Sequence, residues 1–230
     1  EDVFDVQTNA ACLTVDQNQN ATPSNFSIRG IGTGENNFGQ ESSVGLYVDC
    51  VYRSRQSSRM SQLVDMDSVE VLRGPQGTLF GRNTLSGAIQ FNTVAPDFEG
   101  TGFLEGTVGN YGLFNLSGAK SLSLVDDVLA VRVTGFSSER DGWISNIAPG
   151  AQEDEKIFDR DRWGWRAQAL WTPTEDLTVR LIVDDSKLDE VCCGTTVTFD
   201  NNRPSAIDGS PGSEPPLVVP ANTAQLLSET

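Results

Sequence analysis

From about residue 98 onward the chain alternates apolar and polar residues with a period of two, which in a β-strand sends the two sets to opposite faces. Leu104, Gly106 and Val108 alternate with Glu105 and Thr107, Phe114, Leu116 and Gly118 with Asn115 and Ser117, and Leu129, Val131 and Val133 with Arg132 and Thr134. Next, Trp163, Trp165, Ala167, Ala169 and Trp171 alternate with Arg162, Arg166 and Gln168, and Leu177, Val179, Leu181 and Val183 with Thr178, Arg180 and Asp184. The pattern predicts about five strands in succession. Up to about Ala95 the grammar differs, with short β-branched runs between Gly- and Asn-rich loops such as 16–25 and 32–43. That half reads as a compact mixed α/β domain, with strands over 44–52, 68–72 and 87–93, a short helical turn over 62–66, and Pro96 as its end.

Alternation alone fits a soluble sandwich as well as a membrane barrel. The tryptophans and the connections favour the barrel. Trp163 and Trp171 share a face eight residues apart, about 26 Å along a strand and about 20 Å of height at a ~40° tilt, which suits aromatic girdles on either side of an apolar band. The connections 125–127 and 173–176 are tight, whereas 138–161 and everything after Asp185 are long and polar, the asymmetry of outer-membrane barrels. A first strand rising from the periplasm makes 110–112 a short outer loop and puts each later connection on the side that its length predicts.

Composition narrows the chemistry. Among 230 residues there are 32 acids against 16 bases, for a formal charge of −16, which argues against nucleic acid as a partner. The chain has no histidine, so the commonest general base and transition-metal ligand is missing, and no catalytic, metal or cofactor site is expected. No run approaches the ~18 apolar residues of a membrane helix. The cysteines at 12, 50, 192 and 193 lack zinc or redox spacing. Glu1 opens a polar, acidic stretch without signal-peptide character, so the sequence reads as an internal piece of a longer protein.

Three motifs stand in the first half: FSIRGIGTG from Phe26, SSVGLYVDCVYRSR from Ser42, and DSVEVLRGPQGTLFGRNTLSGAIQFNT from Asp67. A phosphate-loop reading of the last fails, because the glycine spacing is short and Arg82-Asn83 replaces the needed Lys-Ser/Thr. Together the motifs closely resemble the plug domain of TonB-dependent outer-membrane receptors. The resemblance implies a mainly β protein in which a small mixed α/β plug, over 1–97, sits inside a transmembrane antiparallel β-barrel begun by 98–230, with long extracellular loops near 138–161 and 185–230. It further implies that an N-terminal TonB box and about seventeen of the ~22 strands of a plugged transporter lie outside this chain. The implied function is energised uptake of a ferric chelate or an oligosaccharide, with the TonB-ExbB-ExbD complex as partner and outer-membrane lipid and lipopolysaccharide as surroundings. A passive porin or surface adhesin sharing only the barrel is the alternative.

The resemblance also assigns roles. Arg29 and Arg73, with Glu70, are expected to lock the plug against glutamates of the barrel wall, since a planar guanidinium suits bidentate pairing. Gly30, Gly74, Pro75, Gly77 and Gly81 are expected to form tight turns. Apical loops carrying Glu35, Asn36, Asn37, Phe38, Gln40, Tyr52, Arg53 and Arg55 are the expected substrate site. The acidic run Glu153, Asp154, Glu155, Asp159 and Asp161 reads as solvated, because the defined oxygen-rich loop of a calcium site is absent. Cys50 stands where the family usually has glycine. In an oxidising periplasm a Cys12–Cys50 bridge is expected, and Cys192 and Cys193 either form a vicinal bridge or pair with cysteines outside this chain.

Overall fold

The computed structural model describes residues 3–16, 25–33, 41–54, 62–145 and 156–191. Contacts divide the chain into a unit spanning Glu1–Cys193 and a second, Gly194–Thr230, which lies outside the described residues. A single 3-10 turn, Val3–Asp5, leads into α1 (Val6–Asn9). Then come β1 (Leu13–Asp16), β2 (Asn25–Ile28) and β3 (Ile31–Gly32), which pair antiparallel in the order β1-β2-β3. Leu13, Val15, Phe26 and Ile28 are buried while Thr14 and Asp16 are exposed, so period-two alternation turns one face inward.

A second sheet holds β4 (Val44–Val48), β5 (Val51–Tyr52), β6 (Met66–Arg73) and, after α2 (Gly77–Phe80), β7 (Gly87–Thr93). Its order is β5-β4-β7-β6, with β4 parallel to β7 and the other pairs antiparallel. β4 is buried at all five positions, as expected of a central strand covered on both faces. Phe26, Ile28, Val44, Leu46, Val48, Ile89 and Phe91 join the two sheets in one apolar core, closed by Val3 and Val6. The expected helical turn over 62–66 is not formed. Asp65 takes a left-handed φ of 59° and Met66 already begins β6, because Asp65 is committed to a contact with the wall described below.

The remaining strands are β8 (Gly102–Val108), β9 (Phe114–Val125), β10 (Leu129–Arg140), the small hairpin β11 (Ile144–Ser145) and β12 (Lys156–Ile157), then β13 (Arg160–Thr174) and β14 (Leu177–Leu188). A five-stranded antiparallel sheet runs β14-β13-β10-β9-β8, the start of a barrel wall. Each strand pairs with its neighbour in sequence, apart from the inserted hairpin. The tight turns fall where expected: left-handed Tyr111 and Gly112 close one end, Asp127 another, and Thr174 pairs with Leu177 across the third. β10 and β13 run further outward than the alternation suggests, so the long outer connection begins at Asp141 and ends at Asp159. No helix among the described residues is long and apolar enough to cross a membrane, which says nothing of strands.

Candidate functional site: the interface between plug and wall

The polar face of the wall sheet meets the first domain through two clasps. In the first, Asp65, the residue before β6, takes a left-handed conformation and presents its carboxylate to β10. Arg132 grips it with two parallel bonds, Nε to Oδ2 at 2.7 Å and Nη2 to Oδ1 at 2.5 Å, and the Thr134 hydroxyl adds a third at 2.6 Å. Both charged side chains are almost fully buried, at 4% and 1% exposure. Arg132 also donates from Nη1 to the Ser121 hydroxyl at 2.9 Å, so the cation is satisfied on several sides. Such completeness is what makes a buried pair tolerable, since removing either partner leaves a desolvated charge.

The second clasp lies at the turn between β4 and β5. Asp49 accepts the Thr93 amide at 2.9 Å and the Thr93 hydroxyl at 2.8 Å. Arg180 of β14 approaches Asp49 at 3.5 Å and donates from Nη2 to the Thr93 hydroxyl at 2.8 Å and carbonyl at 3.1 Å. Gln168 of β13 completes this clasp, accepting from Arg180 at 2.6 Å and donating to the Val94 carbonyl at 3.0 Å. Around them Arg166 donates to the Val64 carbonyl at 3.5 Å and Arg53 faces Asp184 at 3.7 Å. Asp97, in the linker, takes the Thr101 amide at 3.0 Å and the Thr101 hydroxyl. Burial works to raise the Asp97 carboxyl, and hydrogen bonds from Thr101, Ser121 and Gly100 outweigh it, holding the group below the usual carboxylate range.

The two clasps pair arginines of these five wall strands with carboxylates of the plug, a contact separate from the one expected for Arg29 and Arg73. Arg29 and Arg73 are both exposed and meet no carboxylate among the described residues, and Glu70 is exposed and accepts only from Asn92, at 3.2 Å. Arg29 occupies the first position of a left-handed two-residue turn with Gly30 (φ 56° and 75°), and Arg73 ends β6 at its rim. Among the described residues it is arginines of the wall that reach the plug. Asp65, Asp49, Thr93, Arg132, Gln168 and Arg180 were not singled out from sequence; the available signal was the concentration of arginine on the polar positions of the alternating strands.

The turn assignments fare better. Gly30, Gly74 and Gly81 all have positive φ, Gly77 opens α2, and Pro75 lies in the bend before it. Tyr52 is drawn into the plug's own packing, its hydroxyl accepting from Asn83 at 2.9 Å and its ring 5.4 Å from that of Tyr47. Tyr47 in turn donates to the Phe80 carbonyl, and burial first, then Tyr52, raises its hydroxyl above the ordinary tyrosine range. Arg53 is half-buried against the wall. The other apical residues, Glu35, Asn36, Asn37, Phe38, Gln40 and Arg55, lie outside the described residues, as do Cys192 and Cys193 and most of the acidic run.

The expected Cys12–Cys50 bridge is not made: both thiols are free and exposed. Each sits in a turn of a different sheet, with φ of 65° and 67°, and Asp49-Cys50 is the two-residue loop between β4 and β5 with both residues left-handed. That geometry explains why glycine is the usual residue at position 50. Trp163, Trp165 and Trp171 project from the outer face of β13, 43%, 41% and 47% exposed. At the far end of the wall a cavity of about 640 Å³ is lined by Arg140, Arg160 and Lys156 together with Asp141, Asp159 and Asp161. Beside it Arg162 and Glu190 form a buried two-bond pair at 2.5 and 2.8 Å.

The sequence model of the TonB-dependent Receptor Plug Domain matches residues 1–88. The pesticin receptor of Yersinia pestis is 34% identical over 145 residues, covering 61% of this chain and 20% of that protein, so the chain spans about a fifth of the length of the curated relatives it matches. Among solved structures, the ferric yersiniabactin uptake receptor FyuA from Yersinia pestis superimposes with a TM-score of 0.64 at 27% identity, over 72% of this chain and 25% of that one. The pyoverdine outer membrane receptor FpvA from Pseudomonas aeruginosa PAO1 gives a TM-score of 0.64 at 17% identity, over 80% and 25%, a likeness of fold. Residues 1–88 thus match the plug domain of TonB-dependent receptors, and the chain as a whole is similar to the plug and the first barrel strands of such outer-membrane receptors.

Proposed function

We propose that the complete receptor imports a ferric chelate across the outer membrane. The observation that carries this reading is the pair of clasps, the one at Asp65 buried and the one at Asp49 partly exposed, which hold a folded plug against the barrel wall. A passive porin or an adhesin has no use for a plug fixed in this way. Relatives point to the cargo: the solved structures similar to this chain include receptors named for ferric yersiniabactin, pyoverdine and alcaligin. In this reading the chelate docks on the outer loops and the plug apex, where 35–40 and 53–55 contribute, and the TonB-ExbB-ExbD complex pulls on a segment N-terminal to the plug. The plug spans 1–97 and the wall begins at 98, with Trp163 and Trp171 in aromatic girdles against lipid and lipopolysaccharide. Transport makes and breaks no covalent bond, and the receptor is not an enzyme.

The test is iron-55 uptake by iron-starved cells expressing the complete receptor, with and without TonB. Uptake that vanishes without TonB is expected. Uptake at the same rate without TonB returns the protein to the porin class, and no uptake of any ferric chelate refutes the cargo.

A further inference from the structure

Among the described residues three wall arginines touch the plug, and each has a second acceptor in the linker or in the wall itself. Asp65 takes Arg132 side-on, through Nε and Nη2, and leaves Nη1 turned the other way. On that side Nη1 donates to the Ser121 hydroxyl at 2.9 Å and to the Thr101 hydroxyl at 3.4 Å, and Asp97 Oδ2 stands 3.7 Å from it. Asp97 is held there by contacts of its own. Its carboxylate accepts the Thr101 amide and hydroxyl, its amide donates to the Ser121 hydroxyl at 3.4 Å, and the Ser121 amide donates to the Thr101 carbonyl at 2.8 Å. The linker is thus fastened to β9 without help from the plug's sheets. The other two arginines repeat the arrangement. Arg180 meets Asp49 and Thr93 on the plug side and also holds the side-chain carbonyl of Gln168 with Nε and Nη2, at 3.0 and 2.6 Å. Arg166 donates to the Val64 carbonyl, and its register partner on β14 is Asp184, which faces Arg53 of the plug.

We infer that Asp97 is a reserve carboxylate for Arg132, as Asp184 is for Arg166: when the plug withdraws Asp65, the guanidinium passes to Asp97 through its Nη1–Nη2 edge and is never left bare. This rests on the uptake reading above, in which the plug shifts during transport. A guanidinium has two edges that can grip a carboxylate, and Asp65 uses only one of them. Departure of Asp65 frees Nη2, and rotation of the Asp97 side chain closes the 3.7 Å gap while its amide stays on Ser121. The Thr101 hydroxyl already lies between the two groups, accepting from Arg132 and donating to Asp97, so it follows the carboxylate. A buried charge that loses its partner is strongly unfavourable, whereas exchanging one carboxylate for another keeps the pair. The seated state stays preferred because Asp65 and Thr134 make three short bonds there against one longer contact from Asp97. A clasp built in this way is firm when closed and opens without stranding its cation.

The test is Asp97→Asn in the complete receptor, which keeps an acceptor for the Thr101 amide and removes the charge. Three quantities are measured on cells: iron-55 uptake from whichever of ferric citrate, a ferric tris-catecholate and a ferric hydroxamate the wild type imports, surface binding of that chelate, and protease resistance of the plug. The expected result is unchanged binding and a plug at least as protease-resistant as in the wild type, with uptake slowed roughly tenfold or more, because the released Arg132 finds no carboxylate. In an Arg132→Met background the same substitution should alter uptake by less than about twofold, since no cation then needs a partner. Uptake at the wild-type rate, or equal slowing in both backgrounds, overturns the reserve carboxylate and leaves the uptake reading standing. A protease-sensitive plug in Asp97→Asn overturns it as well, because a residue that only ties the linker down would loosen the plug when changed. If the wild type imports none of the three chelates, or imports one equally well without TonB, the uptake reading falls and the hand-over with it. Should Asp97→Asn not reach the outer membrane, Asp184→Asn poses the same question at Arg166: slowed uptake with a seated plug supports the reserve acceptor, and unaltered uptake rejects it.

Discussion

In the plug, Phe26, Ile28, Ile89 and Phe91 are at most 1% exposed, whereas in the wall Leu104, Leu181 and Val183 are 80%, 65% and 60% exposed and the least exposed side chains include Arg132 and Gln168. The two regions use the same two-residue alternation and bury opposite faces. The difference follows from what lies against each. The plug's sheets pack on one another and must exclude water to gain stability, while the wall's apolar face is solvated by hydrocarbon and gains nothing from being covered by protein. Its inner face meets the plug through polar side chains. Hydrogen bonds and ion pairs give that contact a defined geometry without an apolar seal.

The largest effect that would sharpen this contrast is expected in the plug core. Phe91→Ala removes a fully buried ring from the junction of the two sheets and should destabilise the plug by roughly 3–5 kcal/mol, transfer and cavity costs together. Thermal melting and protease sensitivity of the complete receptor read it out. A small loss would mean that the core is less tightly packed than its burial implies.

A comparable cost is expected at the interface, from electrostatics in place of packing. Asp65→Ala leaves Arg132 buried without its carboxylate and should cost about 3–5 kcal/mol of plug seating, much of it recovered when Arg132→Met is added. If the double variant is as damaged as the single one, the penalty lies in the left-handed turn at Asp65 and not in the stranded charge.

Much of this organisation was legible from residues alone. The five wall strands, their tight turns and the strand over 87–93 followed from periodicity and turn residues, because a sheet facing two different media writes its pattern into every second position. The lock was not legible in the same way. Pairing between Arg132 and Asp65 depends on two chain positions 67 residues apart, and alternation gives the face of an arginine without naming its partner. The short strand 13–16 and helices 6–9 and 77–80 were also missed; each is four residues long and carries too few positions to establish a period.

The wall's asymmetry has its own test. Arg180 belongs to a clasp, and the very next residue, Leu181, faces out between the levels of Trp165 and Trp171. Leu181→Arg should destabilise the complete barrel in lipid by about 1–2 kcal/mol, because Leu181 pairs with Ala169, between the midplane and the Trp171 girdle, where the cost of a guanidinium falls off. Heat-modifiable migration and folding into vesicles measure it. Arginine tolerated at 181 would mean that this face is covered by protein, and the contrast between plug and wall would lose its physical basis.

The smallest expected effect returns to the plug, at the one turn residue that departs from the family's glycine. Cys50 holds φ at 67°, where an L-residue pays for the approach of its Cβ to the backbone, and Gly pays nothing for that. Against this, Gly loses more freedom on folding and gives up the contact in which Gln90 donates to the Cys50 sulfur at 3.7 Å, a weak bond on an exposed side chain. The steric term is the larger, so Cys50→Gly should stabilise the plug by about 1 kcal/mol, an upward shift of a few degrees in a melt. Cys50→Ala separates the two contributions, because it keeps the strain and removes only the sulfur, and it should leave the melt nearly unchanged. A clear loss of stability in both variants would show that the thiol matters at this position and that the left-handed turn is not what sets the preference for glycine.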